Sequence, residues 1–305
     1  MYLQYYLKQL GYSNIPEFLV KYLKAPSLIR LKGIGYFCGM DYASKEIYDF
    51  KEPITRFDHS LTVALLVYKL TQDKNATLAG LFHDVGTPCF SHAIDYMNQD
   101  YERQESTEAF TEWILKKDLY LRDCLQKDKI GVEDLIHFKK YTIVDNDRPK
   151  VCADRIDGVI LTGIAWTKNI HKKDIDQIVE DMCISVNENQ EQEIGFQSQD
   201  IAEKVLEVSQ SIDIYCHSEE DNYMMHLLAQ IAKTAIEREY ITYEDLYKYE
   251  EKQLLSLLKK KKDSSLQSLI RVFETIRKDE IPTMEVPSTV KIRDLNPLVK
   301  GKRLK

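Results

Sequence analysis

Apolar residues recur at helical spacing along most of the chain, and the polar interruptions between them divide it into candidate elements. Residues 1 to 30 carry such a stripe, broken by Gly11, Pro16 and Pro26, which predicts short helices. From Arg30 to Asp58 the chain holds three of its eleven glycines and reads as a loop or small hairpin. "HSLTVALLVYKL", from His59, begins a strongly apolar helix, and "NATLAGLFHD" predicts a second, with Asn75 placed to cap it. Residues 104 to 140 read as amphipathic helix, and "RPKVCADRIDGVILTGIAW" as a further helix with Pro149 near its start. The segment 185 to 200 is polar and has no stripe, as expected of an exposed loop or hairpin between helical halves. Helical spacing returns over 201 to 280, after which three prolines and β-branched residues predict a short strand and a tail over 281 to 305. The pattern is that of an all-α, mostly helical fold with short β hairpin or strand elements: one helical domain over 1–280, with no internal repeat.

Composition changes this picture little. The 305 residues are 44% hydrophobic and 30% charged, ordinary for a globular protein. A net charge of −7 supplies no global basic field, so nucleic acid is not an expected partner, although local basic pockets for a small anion remain open. The six cysteines form no C-x-x-C pair and fit neither a zinc ribbon nor a disulfide framework. There is no signal-peptide pattern and no apolar run of about eighteen residues, so the expectation is a cytoplasmic, soluble protein without a membrane partner.

Candidate chemistry concentrates in "LFHDVGTPCFSH", where His83, Asp84 and His92 fall within ten residues of a chain that has seven histidines. His59 shares a helix face with Val63, Leu66 and Leu70 and so points the way the core residues point. His83-Asp84 ends the next helix beside a turn. Imidazole nitrogens with carboxylate oxygens suit a divalent transition metal better than calcium, and "ADRID" offers Asp154 or Asp157 to complete a mononuclear site. Taken singly, His59 reads as a core histidine and the His-Asp pair as a helix-end hydrogen bond. Their occurrence together with ADRID, in this order, points to a metal shell.

At these residues the chain resembles the HD superfamily of metal-dependent phosphohydrolases, and within it the branch of deoxynucleotide triphosphohydrolases (like the SAM and HD domain protein). The motifs are "RFDHSL" (Arg56 to Leu61), "HDVGTPCFSHAID" (His83 to Asp95), "DRID" (Asp154 to Asp157) and the later "YCH" (Tyr215 to His217), preceded by "GIGYF". The similarity covers roughly residues 28 to 235, with an HD core at about 50–165 and a helical C-terminal half at 201–280. It implies that His59, His83, Asp84 and Asp154 ligate one divalent ion (Mn, Fe, Ni, Co, Zn or Mg), which would polarise a phosphoryl group and acidify its bound water. It implies that Arg56 and Arg155 hold phosphate oxygens. His92, oriented by Asp95, would be the general acid, and Tyr215 and His217 would contact substrate. A homo-oligomer is implied by the resemblance alone.

The departures from that pattern bear on substrate. Thr87 stands where these triphosphohydrolases carry a histidine, and Gln104 and Glu105 stand where they carry a His-Glu pair. Gly158 and Thr162 replace an aromatic and an aspartate that read the sugar, and Ser218 replaces a basic residue after Tyr-x-His. The missing histidines also argue against a two-metal variant. The metal shell is thus complete while substrate-reading positions are not. This favours hydrolysis of a phosphoester or phosphoanhydride of a nucleotide or related small phosphorylated substrate by metal-activated water. The alternatives are a deoxynucleotide triphosphohydrolase and a catalytically weak metal- and nucleotide-binding regulatory module. His137, His171 and His226 fall outside the motifs, Lys259 to Lys262 read as a solvated helix face, and Trp113 and Trp166 as packing residues.

Overall fold

The computed structural model describes residues 1–104, 110–283, 286–287 and 290–304. Its helices are α1 (Tyr2–Gln9), α2 (Glu17–Tyr22), α3 (Pro26–Arg30), α4 (Arg56–Thr71), α5 (Lys74–Phe82), α6 (His92–Met97), α7 (Thr111–Lys117), α8 (Leu119–Asp128), α9 (Glu133–Ile136), α10 (Ala153–Ala165), α11 (Lys172–Asp181), α12 (Gln199–Cys216), α13 (Glu219–Glu237), α14 (Glu251–Lys259) and α15 (Ser264–Thr275). The mostly helical architecture with short strands is the one the apolar periodicity predicts. No helix among the described residues is long and apolar enough to cross a membrane.

α4 and α10 are the central helices. α4 buries a continuous run from His59 to Val67, so it is covered on nearly all sides rather than along one stripe. It begins at Arg56, three residues before the apolar run, because Thr55 and Asp58 form a reciprocal capping box: the Thr55 hydroxyl accepts from the Asp58 N–H and the Asp58 carboxylate accepts from the Thr55 N–H. α5 is capped by Asp73, whose carboxylate accepts from the N–H groups of Asn75 and Ala76, not by Asn75 as the sequence pattern suggests. α5 lies close against α4 at Gly80, where a β-carbon would stand 3.3 Å from Val63 Cγ1 and 3.5 Å from Val67 Cγ2. That approach carries the end of α5 alongside the start of α4.

The 30–58 stretch forms short 3-10 turns closed by an antiparallel bridge between Gly35 and Thr55. The expected helix after Pro149 starts later, at Ala153, because Pro149 belongs to the preceding loop. The polar 185–200 segment is a hairpin: β1 (Met182–Val186) pairs antiparallel with β2 (Gln192–Phe196), with Met182 opposite Phe196 and Val186 opposite Gln192. The C-terminal segment returns to this hairpin, β3 (Leu298–Val299) running parallel to β2 and β4 (Lys302–Arg303) closing on β3. A fully buried carboxylate, Glu193, ties the sheet to the chain ahead of α10: it accepts from the Val151 N–H at 2.9 Å and pairs with Arg303. The C-terminal segment is thereby held against the loop that enters α10.

Candidate metal centre and substrate cavity

Four donor side chains converge where α4, the end of α5 and the start of α10 meet. His59 projects from the first turn of α4, His83 is the C-cap of α5, Asp84 follows it, and Asp154 lies in the first turn of α10. The His59 and His83 rings are 5.1 Å apart between centroids. Asp154 Oδ1 is 3.0 Å from His59 Nε2 and 3.4 Å from His83 Nε2, while the Asp84 oxygens stand 3.8 Å from each Nε2. His59, His83 and Asp154 form a group able to hold a metal ion.

The back of each imidazole is anchored so that Nε2 faces this point. His59 Nδ1 donates to Asp157 Oδ2 at 2.7 Å, and His83 Nδ1 donates to the Gly80 carbonyl at 2.7 Å. His83 Nε2 is buried and makes no hydrogen bond among the described residues. Buried polar nitrogens are rarely left so, and an inward-facing imidazole nitrogen with its tautomer fixed from behind is what a divalent cation requires. The two Nε2 atoms with two carboxylates also fit the donor preferences of a transition metal. The residues present therefore fit a divalent ion. Burial alone would lower the His59 pKa, but hydrogen bonds with Asp154 and Asp157 outweigh it and hold it up at about 10. Metal entry must accordingly displace a proton from this ring, so affinity weakens as pH falls.

Asp157 settles which aspartate of ADRID faces the cluster. The two lie three residues apart on one face of α10, yet only Asp154 reaches the Nε2 atoms. Asp157 is fully buried behind His59 and also accepts from Tyr6 Oη and Thr62 Oγ1, both at 2.8 Å. Asp157→Asn is expected to weaken divalent-metal affinity by about 10–100-fold with the fold retained. Competition titration against a chelator, alongside a circular dichroism spectrum, checks this, and unchanged affinity would reduce Asp157 to a packing role.

The donor cluster opens into a cavity of about 640 Å³. One side is aromatic: Phe37 stacks on Phe50 at 4.1 Å, with Tyr48 and Trp166 around them. Trp166, a packing residue by its sequence context, is thus also cavity wall. The other side carries basic groups, including Arg56, Arg148, Arg155 and Arg293. Arg56 donates to Asp84 Oδ2 at 2.8 Å and lies over the Tyr36 ring, and its buried Nε is unpartnered. Arg155 faces the cavity, but its η nitrogens are engaged by Asn146 Oδ1, the Lys150 carbonyl and Asp145 Oδ1. Its guanidinium braces the 145–150 loop.

His92 is the first residue of α6 and lines the cavity, with Nδ1 2.9 Å from Oδ2 of the fully buried Asp95. It is delivered by a turn in which Phe90 (φ 69°) and Ser91 (φ 44°) both take left-handed backbone, a conformation costing roughly 1–3 kcal/mol per residue. The turn is held by Glu251 of α14, fully buried, which accepts from the Phe90 and Gly35 N–H groups, each at 3.0 Å. Nothing in the local pattern around Glu251 signals that role.

Tyr215 and His217 do not join the cavity, contrary to the expectation from Tyr-x-His. The face of α12 turned towards it carries Ser209, Ile212 and Cys216, so the residues flanking Cys216 point aside. Tyr215 is largely exposed against Trp166, and His217 Nδ1 donates to the Asp213 carbonyl. Ser218 caps α13 instead of meeting substrate. Gly158 does line the cavity, and a β-carbon there would stand 2.9 Å from Tyr36 Oη, so Tyr36 fills the place of a larger side chain. Gln104 is buried at the cavity edge with its Oε1 unpartnered among the described residues, while Glu105 lies outside them.

Comparison with known proteins agrees with this geometry. Residues 56–158 match the model of the HD domain. That span contains His59, His83, Asp84 and Asp154, which the geometry brings together, and it ends at Gly158. The chain is 28% identical over 264 residues to the uncharacterized protein YdhJ of Bacillus subtilis, covering 85% of this chain and 76% of the relative. It is 21% identical over 286 residues to the metal-dependent phosphohydrolase cns2 of Cordyceps militaris, covering 92% of this chain and 79% of the relative. The HD-domain match and the phosphohydrolase relative support placement in the HD superfamily. The matched span supplies the metal-facing residues, but the cavity extends beyond it to Trp166, α12 and the C-terminal segment.

Proposed function

We propose that this chain is a metal-dependent phosphohydrolase that cleaves a phosphoester or phosphoanhydride of a small phosphorylated compound, a nucleotide being the class its cavity suits. The observation that carries the reading is the convergence of two imidazole Nε2 atoms and two carboxylates, one Nε2 buried without a hydrogen bond, at a cavity with basic and aromatic sides. His59, His83, Asp84 and Asp154 would hold one divalent ion. Such an ion supplies a Lewis acid for a phosphoryl oxygen and lowers the pKa of water towards neutrality. Arg56, kept charged by Asp84 and fixed over Tyr36, faces the same point and neutralises a phosphate oxygen. His92 stands on the cavity wall with Asp95 behind it and assists the leaving group. The aromatic side receives a flat or apolar part of the substrate. The name of the Cordyceps relative agrees with this reading.

The test is product release over phosphomonoesters, nucleoside mono- and triphosphates and cyclic nucleotides, with Mn²⁺, Mg²⁺, Ni²⁺ and Fe²⁺. Turnover that requires metal is expected, and the released product (phosphate, pyrophosphate or triphosphate) identifies the bond cleaved. Silence across the panel from metal-loaded protein would leave a binding module in place of an enzyme.

A further inference from the structure

Two guanidinium groups in the cavity wall have no assigned work. Arg148 makes no hydrogen bond or ion pair among the described residues, and its pKa is pushed down to about 10 by burial and by the neighbouring Arg293 and Arg155 charges. Arg293 comes from the C-terminal segment, far outside the span that matches the HD domain. Its backbone N–H donates to Asp213 Oδ1 at 2.7 Å, its carbonyl accepts from Ser209 Oγ at 3.0 Å, and its Nε donates to Cys216 Sγ at 3.2 Å. These contacts fix the side chain at the end of α12 and leave both η nitrogens without a partner among the described residues. No carboxylate of the described residues lies within 4.0 Å of either guanidinium. Of the other acids lining the cavity, Asp145 pairs with Arg155, Glu191 with Lys150 and Asp221 with the Tyr48 hydroxyl at 2.6 Å, while Asp147 lies more than 4.0 Å from either guanidinium.

Like charges gathered in a recess where no acid is paired to them repel one another, and such an arrangement is relieved by an anion. The forked η donors of two arginines match phosphate oxygens. This demand is separate from that of Arg56, whose charge Asp84 already balances. Arg148 also feels the charge of Asp154, whereas Arg293 is braced at Cys216, so the pair leads from the metal-facing residues towards α12.

We propose that Arg148 and Arg293 form a second anion subsite, which selects substrates carrying another phosphate besides the one at the metal. The inference rests on the phosphohydrolase reading for the first phosphate only. The second phosphate could belong to a diphosphate chain or to a separate position on the same molecule, and both present the same oxygens to these arginines.

The test is calorimetric binding of adenosine 5′-monophosphate, adenosine 5′-diphosphate and adenosine 3′,5′-bisphosphate to the full chain, treated with chelator so that no turnover occurs. At least one two-phosphate ligand is expected to bind about tenfold or more tightly than the monophosphate. Which of the two does so tells chain from separate position. Arg293→Gln is expected to erase that preference while leaving monophosphate affinity unchanged, with metal content before chelation and melting temperature equal to those of the unsubstituted chain. Arg148→Gln, at a side chain with no protein hydrogen bond, repeats the test should Arg293→Gln fold poorly. Equal affinity for all three ligands, or a variant that weakens them all alike, overturns the proposal. Absence of turnover in the metal-loaded protein, with the binding preference intact, would count against the hydrolase reading and leave the subsite standing.

Discussion

Asp84→Asn is expected to leave the protein folded but without tightly bound divalent metal and without detectable phosphate release. Burial pushes the Asp84 carboxyl up, but the charges of His83, Arg56 and His59 outweigh it and hold its pKa well below the ordinary 3.8. The stability gained from this charge is therefore present at any pH above about 4 and is lost only in stronger acid, as pH falls through the depressed value. At neutral pH the residue is a carboxylate aimed at two Nε2 atoms. Asparagine removes the charge while keeping an oxygen to accept from Arg56. Asp84→Ala goes further, leaving the buried Arg56 guanidinium without its partner at a cost of about 3–5 kcal/mol. The two variants thus separate loss of metal from loss of fold. Metal analysis, phosphate release and thermal melting on both would decide, and an Asp84→Asn protein with full metal content and activity would remove Asp84 from the ligand set.

His92→Ala is expected to slow turnover by about 10²–10⁴-fold while metal content stays at the wild-type value. Burial holds the His92 pKa below the ordinary 6.5 despite the opposing hydrogen bond and charge of Asp95. At neutral pH the ring is therefore mainly neutral, with Nδ1–H donated to Asp95 and Nε2 carrying a lone pair. To donate a proton to a leaving group it must first be protonated, and the protonated fraction falls about tenfold per pH unit above that lowered pKa. Turnover of an alkyl phosphate should follow this fall, whereas an aryl phosphate with an acidic leaving group should show a flatter profile and a smaller loss in His92→Ala. Equal losses for both leaving groups would make His92 a positioning residue, and loss of metal would make it part of the shell's support.

The convergence of metal-facing residues is legible because each sits inside a short local signal: R-F-x-H at a helix start, H-D at a helix end, D-x-x-D in a first turn. Helix phase then aims them inward, and the helical architecture follows from the same apolar periodicity. What is not legible depends on contacts between distant parts of the chain. Asp154 and Asp157 are equivalent by spacing alone; the family resemblance chooses Asp154, and the packing of α4 against α10 places it at the two Nε2 atoms. Tyr215 and His217 rest on a motif, whereas the phase of α12 turns Cys216 to the cavity. Arg293 lies in a proline-containing stretch without periodicity, and no local pattern says that it returns to the site. Glu251 grips the Phe90 turn across 161 residues of chain, a relation no window of sequence contains.

The C-terminal wall of the cavity is held more lightly than its metal-facing side. The 291–296 stretch is fixed by the contacts of Arg293, by the Lys291 N–H on the Tyr101 carbonyl and by the Asn296 N–H on the Pro149 carbonyl, and it leads into the two-residue strand β3. The ligand side is clamped between α4, α5 and α10, most of whose residues are buried. Segments with few buried contacts open at lower free energy than the core around them. Under mild denaturant, amides of this stretch should therefore exchange with solvent before those of α4 and α10, giving a population that keeps its metal but grips substrate weakly. The two halves of the chemistry would then be lost in sequence, not together.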